Sequence, residues 1–296
     1  MPVFAPALSI ARGSAPSLGG EPANGGDGVV GCEQDVGGEE MWLDAEGGVF
    51  ARCRAEGAQY LMELPGLGTL RFDRGGASVI ATPHPDVSPD AVTRVYRDSA
   101  LPLVLQARGA EVLHASAVLA PSGVVAFCGV SGSGKSTIAY GLHRRGHRLW
   151  ADDAVALDIA GATVTTERLR FAARLRPPTA ALFGLGPGRA RLDAPGGEPE
   201  GDRAPLVAVC LLERERDGDR DRMLTPVRPA LAFPRVLAHA FCFRFGDSGR
   251  KRVMIERYLS LAARVPVFEI SVPHGLDLLP ALLDVIERAI GRGAGS

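Results

Sequence analysis

The chain has 296 residues, a length that suits one large domain or a small domain joined to a larger one. Its 33 basic and 34 acidic residues give a net charge of −1, which excludes a strongly basic nucleic-acid-binding surface as the organising feature. No apolar run approaches the roughly 18 residues of a membrane-spanning helix, so we expect neither nucleic acid nor a membrane as a partner.

Five cysteines are spread along the chain without the spacing of a structural site. None belongs to a C-x-x-C pair, and no histidine cluster has the spacing of a zinc site. The first residues also lack the basic start and the apolar core of a secretory signal peptide. Together these features predict a reducing, cytoplasmic location.

The first third of the chain divides into two parts by composition. Residues 1–40 are rich in glycine, alanine, proline and serine and have no hydrophobic period, which predicts a mostly disordered tail. Residues 41–107 alternate short apolar runs with glycine-containing turns, which predicts a β-rich N-terminal segment with a small antiparallel sheet. One helix follows; Ser88 is its expected N-cap, and Pro102 is expected to break or kink it.

Residues 108–296 show a different pattern, which predicts a C-terminal catalytic domain of α/β class. Two strand-like runs, EVLHASAVLA and GVVAFCG, precede a glycine-rich loop, a helix and the strand-like run RLWADDAVALDI. Strand, loop, helix and strand in this order form a βαβ unit, which implies a mainly parallel or mixed sheet. Strands at PLVAVCLLE, LTPV and VPVFEISV, two helices between residues 230 and 262, and a terminal helix complete the prediction.

The glycine-rich loop has the sequence GVSGSGKS and fits the pattern GxxxxGK[ST], known as Walker A or the P-loop. Glycines let successive backbone N–H groups turn inward around an anion, and the following helix adds its positive dipole end. Lys135 is one of only two lysines in the chain, which otherwise uses arginine. The predicted nucleotide-binding residues are Gly129, Val130, Ser131, Gly132, Ser133, Gly134, Lys135, Ser136 and Thr137.

An acidic pair, Asp152 and Asp153, ends the apolar run Leu149-Trp150-Ala151. A carboxylate at the carboxyl end of a strand parallel to the P-loop strand is where a Mg²⁺-bound nucleotide needs one. Neighbouring strand residues point to opposite faces, so the two carboxylates should have different roles unless the strand ends between them. Taken without the P-loop, the same pair also suits a solvated turn.

His114 lies in the apolar run Leu113-His114-Ala115-Ser116, one strand before the P-loop strand. A lone histidine in such a strand is more often a hydrogen-bonded core residue than a functional one. From the residues alone, both interpretations of His114 stay open.

The segments LHASAV, GVSGSGKST and RRGHRLWADDAV together resemble the catalytic core of HPr kinase/phosphorylase, a bacterial serine kinase family with a Walker-type P-loop. The resemblance covers roughly residues 110–158. It implies that His114 is the catalytic histidine, Lys135 the P-loop lysine and Ser136 the Mg²⁺-binding serine. It also implies that Asp153 accepts the proton of the substrate serine, with Asp152 beside it.

Two departures mark the chain as a divergent member, of the kind that also includes peptide-tailoring kinases of lasso-peptide biosynthesis. The E-x-R-G segment that supplies a metal-binding glutamate in the family is not found after Asp153; Glu167 is the nearest candidate, but its spacing does not fit. In the segment that looks like the family's P-V-x-x-G-R loop, Ala230 and Leu231 stand in place of glycine and arginine.

We therefore expect phosphoryl transfer from ATP to a hydroxyl, most of all a serine on a peptide or protein partner. Lys135, Asp153 and His114 are the expected catalytic residues, and Ser136 with Asp152 is the expected Mg²⁺ site. Asp152 remains the alternative base to Asp153, and the family resemblance allows a homo-oligomer. Two other functions stay open: a nucleotide-dependent binding switch that transfers nothing, and a kinase of a small-molecule alcohol.

Overall fold

The computed structural model of the chain describes residues 6–11, 31–34, 39–43, 47–73, 78–169, 171–186, 190–193, 202–215, 223–241 and 248–292. These residues form two compact units. The N-terminal unit contains the described residues up to 110 and those from 241 to 253, and the C-terminal unit contains the described residues from 111 to 240 and from 254 to 292. The mixed α/β fold predicted from the sequence is confirmed, since helices accompany sheets of parallel and antiparallel strands.

Within its described residues, the N-terminal unit is built on a seven-stranded sheet of order β1-β7-β6-β5-β4-β3-β2. Its strands are β1 (Ala7–Ile10), β2 (Gly31–Gln34), β3 (Glu40–Leu43), β4 (Val49–Glu56), β5 (Gln59–Leu64), β6 (Gly68–Asp73) and β7 (Ser78–Pro83). All pairs are antiparallel except β1 with β7, which is parallel. Leu70 and Phe72 on β6, and Val79 and Ala81 on β7, are buried, whereas the residues between them are exposed. This period of two buries one face of the sheet.

Most of the predicted disordered tail, residues 1–40, lies outside the described residues. Its described parts include two short strands, which differ from that prediction. Ala7–Ile10 pairs with β7, and Gly31–Gln34 pairs with β3. Four-residue strands at sheet edges are held by backbone hydrogen bonds, so their hydrophobic period is too short to recognise in the sequence.

The helical segment that follows the first sheet has three parts: α1 (Pro89–Val95), a π-helical stretch (Tyr96–Ala100) and α2 (Leu101–Ala107). The Ser88 Oγ accepts a hydrogen bond from the Ala91 N–H at 3.2 Å, which confirms Ser88 as the N-cap. Pro102 lies in the first turn of α2, where a missing N–H leaves no helical hydrogen bond unmade. The predicted irregularity therefore takes the form of a π-helical stretch just before this proline.

The C-terminal unit contains the remaining described strands and helices. The strands are β8 (Glu111–Leu113), β9 (Ala115–Ala120), β10 (Gly123–Cys128), β11 (Arg148–Ala151), β12 (Val155–Asp158), β13 (Thr165–Glu167), β14 (Ala172–Leu175), β15 (Ala190–Asp193), β16 (Arg203–Arg214), β17 (Leu224–Val227) and β18 (Val267–Val272). The helices are α3 (Lys135–Arg144), α4 (Pro177–Leu182), α5 (Pro229–Leu237), α6 (Ser248–Arg264, which begins in the N-terminal unit) and α7 (Leu279–Arg292).

The long strand β16 organises the main sheet of this unit. The sheet has the order β11-β9-β10-β16-β13-β12-β8, with β18 also on β16 and β17 on β18. Strand β16 runs parallel to β10 and β18, whereas β9 lies antiparallel between β10 and β11. Strand β11 therefore runs parallel to β10, and β10, β11, β16 and β18 all end at the same edge of the sheet.

Helices cover both faces of this sheet, as a buried sheet requires. On β10, Val124, Ala126 and Cys128 face one hydrophobic cluster, which includes residues of α5 and α6. Val125 and Phe127 face the other cluster, which includes residues of α3 and α7. The alternation along β10 thus fixes the strand between two helical layers and leaves the residue after Cys128 at the sheet edge.

None of the helices within the described ranges is both long enough and apolar enough to cross a membrane.

Candidate active site

The segment Gly129–Ser136, called the glycine loop below, connects the end of β10 to the start of α3. Gly132 and Gly134 have φ angles of 79° and 105°, which L-residues with side chains rarely adopt. Gly134 is the N-cap of α3, so helical structure begins directly at Lys135. The glycines at these two positions allow the backbone to turn sharply from strand to helix.

Lys135 is folded over the glycine loop and is only 7% exposed. Its Nζ donates hydrogen bonds to the Gly129 carbonyl at 2.8 Å and to the Val130 carbonyl at 3.4 Å. Burial lowers the pKa of Lys135, while the Asp153, Cys128 and Asp152 side chains act in the opposite direction. The loop therefore holds a desolvated cation at the start of a helix.

The other residues of the glycine loop differ in exposure. Val130 is 72% exposed and Ser131 is exposed, whereas Ser133 is buried. A Cβ on Gly129 would lie 2.5 Å from the Ser133 Oγ, so only glycine fits at the start of the loop. Among the described residues, the buried Ser133 Oγ has no hydrogen-bond partner. A buried hydroxyl of this kind suits a polar ligand in the loop.

Asp152 is hydrogen-bonded both to the first turn of α3 and to strand β9 of the main sheet. It is 6% exposed, and its Oδ1 accepts hydrogen bonds from the Ser136 Oγ at 2.8 Å and the Ser116 Oγ at 2.5 Å. Ser136 lies in the first turn of α3, and Ser116 lies on β9. Asp152 and Ser136 were predicted from the sequence, whereas Ser116 was not; its only signal was its place two residues after His114.

Asp153 has a φ of 65° and is the only described non-glycine residue with positive φ. Strand β11 ends at Ala151, before both aspartates, so the alternation of strand faces does not separate them. A backbone turn separates them instead. Asp153 raises the pKa of Lys135 and of His114 against the lowering effect of burial, so its negative charge acts on both side chains.

His114 lies at the bend between β8 and β9. Its backbone N–H donates a hydrogen bond to the His239 carbonyl at 2.7 Å. Burial lowers the pKa of His114 to about 4; Lys135 and His239 lower it as well, while Asp153 acts in the opposite direction. The imidazole is therefore neutral at pH 7, and His114 is a half-buried neighbour of the predicted site.

The segment that follows β17, which the sequence likened to the family's P-V-x-x-G-R loop, also approaches His114 and Lys135, through His239, which was not predicted. Burial lowers the pKa of His239, and Lys135 lowers it further. Arg235 donates hydrogen bonds to Glu269 at 2.6 Å and to Glu213 at 3.2 Å. Ala230 and Leu231, the two departures from the family loop, are exposed in the first turn of α5.

Two arginines next to the glycine loop were also missed. The Arg214 Nη2 donates a hydrogen bond to the Gly132 carbonyl at 2.8 Å, and the Arg176 Nη2 lies 3.5 Å from the Ser131 Oγ. Arg214 ends β16, the strand beside the loop-bearing β10, so its place at a parallel strand end was a usable signal. Arg176 precedes α4 and carried no such signal.

The Ser136 hydroxyl and the Asp152 carboxylate are oxygen ligands of the kind that Mg²⁺ prefers. Within the described ranges, no three His, Cys, Asp or Glu side chains gather into a metal cluster. Mg²⁺ is usually held by one or two protein oxygens together with substrate phosphates, so this small donor set fits a metal that arrives with a nucleotide. Glu167 is buried on β13, opposite Ala156 of β12.

No protein-family model and no curated protein matches the chain. Among solved structures, the Hpr(Ser) kinase/phosphatase from Coxiella burnetii is similar, with a TM-score of 0.35 and 13% sequence identity. The match covers 61% of this chain and 91% of that chain. The likeness is distant, and the function proposed below depends on the glycine loop and the side chains around it.

Proposed function

We propose that the protein is an ATP-dependent kinase that transfers the terminal phosphate to a hydroxyl, foremost a serine of a peptide or protein. One observation carries the proposal. The Ser136 hydroxyl of a GxxxxGK[ST] loop is hydrogen-bonded to Asp152, and the charge of a second carboxylate, Asp153, raises the pKa of Lys135 and of His114. Phosphoryl transfer needs these parts: a phosphate cradle, a cation, metal ligands and a group that orients the acceptor.

In this proposal the nucleotide phosphates bind at the glycine loop. Backbone N–H groups of the loop and the start of α3 donate to the phosphate oxygens. The Lys135 ammonium, already desolvated, exchanges its bonds to the Gly129 and Val130 carbonyls for bonds to phosphate oxygens. Charge-assisted bonds to phosphate are stronger than bonds to carbonyls, which favours this exchange.

Ser136 and Asp152 would hold Mg²⁺, which supplies charge neutralisation at the phosphates when bound. Ser116 supports this pair from β9, because its hydroxyl donates to the same Asp152 Oδ1 that accepts from Ser136. The hydrogen bond from Ser116 fixes the orientation of the carboxylate that would hold Mg²⁺.

Asp153 would accept the proton of the attacking hydroxyl. It is only partly buried, whereas Asp152 is buried and bound to two serines, so Asp153 is the carboxylate that an acceptor can reach. His114 is neutral at pH 7, and its role is to hydrogen-bond Asp153 or a phosphate oxygen. A serine hydroxyl is barely acidic, so the orientation of the acceptor contributes more than the basicity of Asp153.

The test is incubation of the purified protein with γ-³²P-labelled ATP, Mg²⁺ and arrayed peptides in matched serine and alanine versions. We expect label on serine peptides, loss of label with Lys135→Ala, and retention of label with Lys251→Ala, which removes the chain's other lysine. A set of small alcohols in parallel reactions distinguishes a small-molecule kinase.

MgATP binding without label on any peptide or alcohol would contradict the kinase and favour a nucleotide-dependent switch. Absence of MgATP binding would contradict both functions. If only the small alcohols are labelled, the protein is a kinase, but its acceptor is not a peptide serine.

A further inference from the structure

We propose that Arg176 and Arg214 bind the terminal phosphate of the nucleotide from outside the glycine loop, so that the site distinguishes ATP from ADP. This inference rests on the proposed function, because it assigns two further residues to the same nucleotide site. The two arginines come from different elements, β16 and the residue before α4, and meet at the same two loop residues, Ser131 and Gly132.

Arg214 is held at the glycine loop by one hydrogen bond. Its Nη2 donates to the Gly132 carbonyl at 2.8 Å. A guanidinium has five N–H donors, and within the described residues the other four donors of Arg214 make no hydrogen bond, so they are left for an anion. The backbone of Arg214 is fixed by β16, whose last residues pair in parallel register with β18 up to Val272. A cation on a strand end is held more precisely than one on a loop.

Arg176, the residue before α4, also lies next to the glycine loop. Its Nη2 lies 3.5 Å from the Ser131 Oγ, and its Nη1 would lie 3.3 Å from a Cβ on Gly132. The following helix α4 is tied to α3 by a hydrogen bond between the Thr137 and Thr179 hydroxyls at 3.1 Å.

The pairing of these arginines differs from that of others in the C-terminal unit. Carboxylates lie in salt bridges with Arg145, Arg148, Arg203, Arg235 and Arg257. Within the described ranges, neither Arg176 nor Arg214 has a carboxylate in salt-bridge distance, and their contacts are to a loop hydroxyl and a loop carbonyl. With Lys135, three cations thus surround one short loop, an arrangement that an anionic ligand would stabilise.

The position of the two arginines selects the terminal phosphate. Lys135 is on the buried inner side of the loop, whereas Ser131 and Gly132 are exposed at its outer turn. The phosphate furthest from the nucleoside is the one that projects beyond the loop, and it is the group that moves in transfer. Arginine forks match phosphate oxygens in two-bond geometry, and they stabilise the charge that spreads over the transferred group.

The experiment compares MgATP and MgADP affinities of the wild type, Arg176→Ala and Arg214→Ala by isothermal titration calorimetry. We expect each substitution to weaken MgATP binding about tenfold while changing MgADP binding about twofold or less. Arg214→Lys should recover part of the loss, because it keeps the charge but not the fork. Arg144→Ala is the matched control, since Arg144 is exposed at the far end of α3 and should bind like the wild type.

The failure of this inference is distinguishable from that of the proposed function. If the wild type binds MgATP but both variants keep the wild-type ratio of ATP to ADP affinity, the arginines do not contact the terminal phosphate and the inference is wrong. If the substitutions weaken MgATP binding and MgADP binding by the same factor, the arginines do not act on the terminal phosphate and that assignment is also wrong. If the wild type binds neither nucleotide, the proposed function and the inference fail together.

Discussion

Asp152 and Asp153 are neighbours in sequence but have different surroundings. Asp152 is buried and accepts two serine hydroxyls, whereas Asp153 is partly exposed and has a left-handed backbone. Asparagine tolerates that backbone almost as well as aspartate, whereas alanine does not. The structure therefore indicates which substitution removes the Asp153 charge without straining the turn.

Asp153→Asn should leave MgATP affinity nearly unchanged and lower the rate of phosphoryl transfer by roughly 100-fold or more, because the amide cannot accept the proton. Calorimetry and steady-state kinetics with a verified acceptor measure the two quantities. Asp152→Asn should instead weaken MgATP binding. Transfer by Asp153→Asn at the wild-type rate would make Asp152 the candidate base.

His114 should make the folded state sensitive to acid. Its pKa is about 4 when folded, because of burial and the nearby Lys135, and near the ordinary value of about 6.5 when unfolded. Between these pH values the unfolded chain binds the extra proton. Stability is therefore complete above about pH 6.5 and is lost as the pH falls toward 4, by at most about 1.4 kcal/mol per pH unit.

Urea unfolding at pH 7 and pH 5 tests this dependence. The wild type should lose about 2 kcal/mol more than His114→Gln between the two pH values, because the unfolded histidine takes up its proton over about 1.5 pH units of this range. The lowered pKa of His239 adds a loss of the same sign, which both proteins share. His274→Gln, at an exposed histidine, is the control and should behave like the wild type. Equal losses in wild type and His114→Gln would show that His114 is not held neutral.

At the scale of elements, the start of α3 depends on a backbone that only glycine adopts easily. Gly134 has a φ of 105°, yet a Cβ there would have its nearest contact at 4.0 Å, with Val272. Substitution at Gly134 therefore tests backbone strain without a steric clash.

Gly134→Ala should lower the free energy of unfolding by about 1–2 kcal/mol, the cost of a left-handed residue with a Cβ. It should weaken MgATP binding as well, since the N–H groups of the glycine loop would have to reorient. Gly161→Ala is the control, because Gly161 has no positive φ and its Cβ would make only an ordinary contact at 3.7 Å. If the two variants have the same free energy of unfolding and the same MgATP affinity, neither stability nor binding depends on the left-handed backbone at Gly134.

The sequence predicted those elements whose signals are local. The strand before the glycine loop, helix α3, the cap at Ser88 and the terminal helix follow from hydrophobic period and capping chemistry. The antiparallel β9 between β10 and β11 did not, because strand pairing depends on residues far apart in sequence. Ser116, Arg176 and Arg214 were missed for the same reason: each reaches the site through sheet topology or a distant helix and belongs to no motif.

At the scale of the whole molecule, a ligand that binds only the folded state raises its stability. At a MgATP concentration 100 times the dissociation constant, the gain should be about 2.7 kcal/mol. Differential scanning calorimetry should therefore show a transition of the wild type that rises with MgATP concentration. At the same concentrations Lys135→Ala should show a smaller rise, with a gain of about 1.4 kcal/mol if its affinity is tenfold weaker. An equal shift in both proteins would place nucleotide binding away from the glycine loop.

The central claim is that the glycine loop binds MgATP through Lys135, and isothermal titration calorimetry tests it most directly. Titration of MgATP into the wild type and into Lys251→Ala should give the same saturable binding. Titration into Lys135→Ala should give binding at least about tenfold weaker, because a charge-assisted contact to phosphate is lost. No heat of binding for the wild type at millimolar MgATP, or unchanged affinity in Lys135→Ala, would contradict the account.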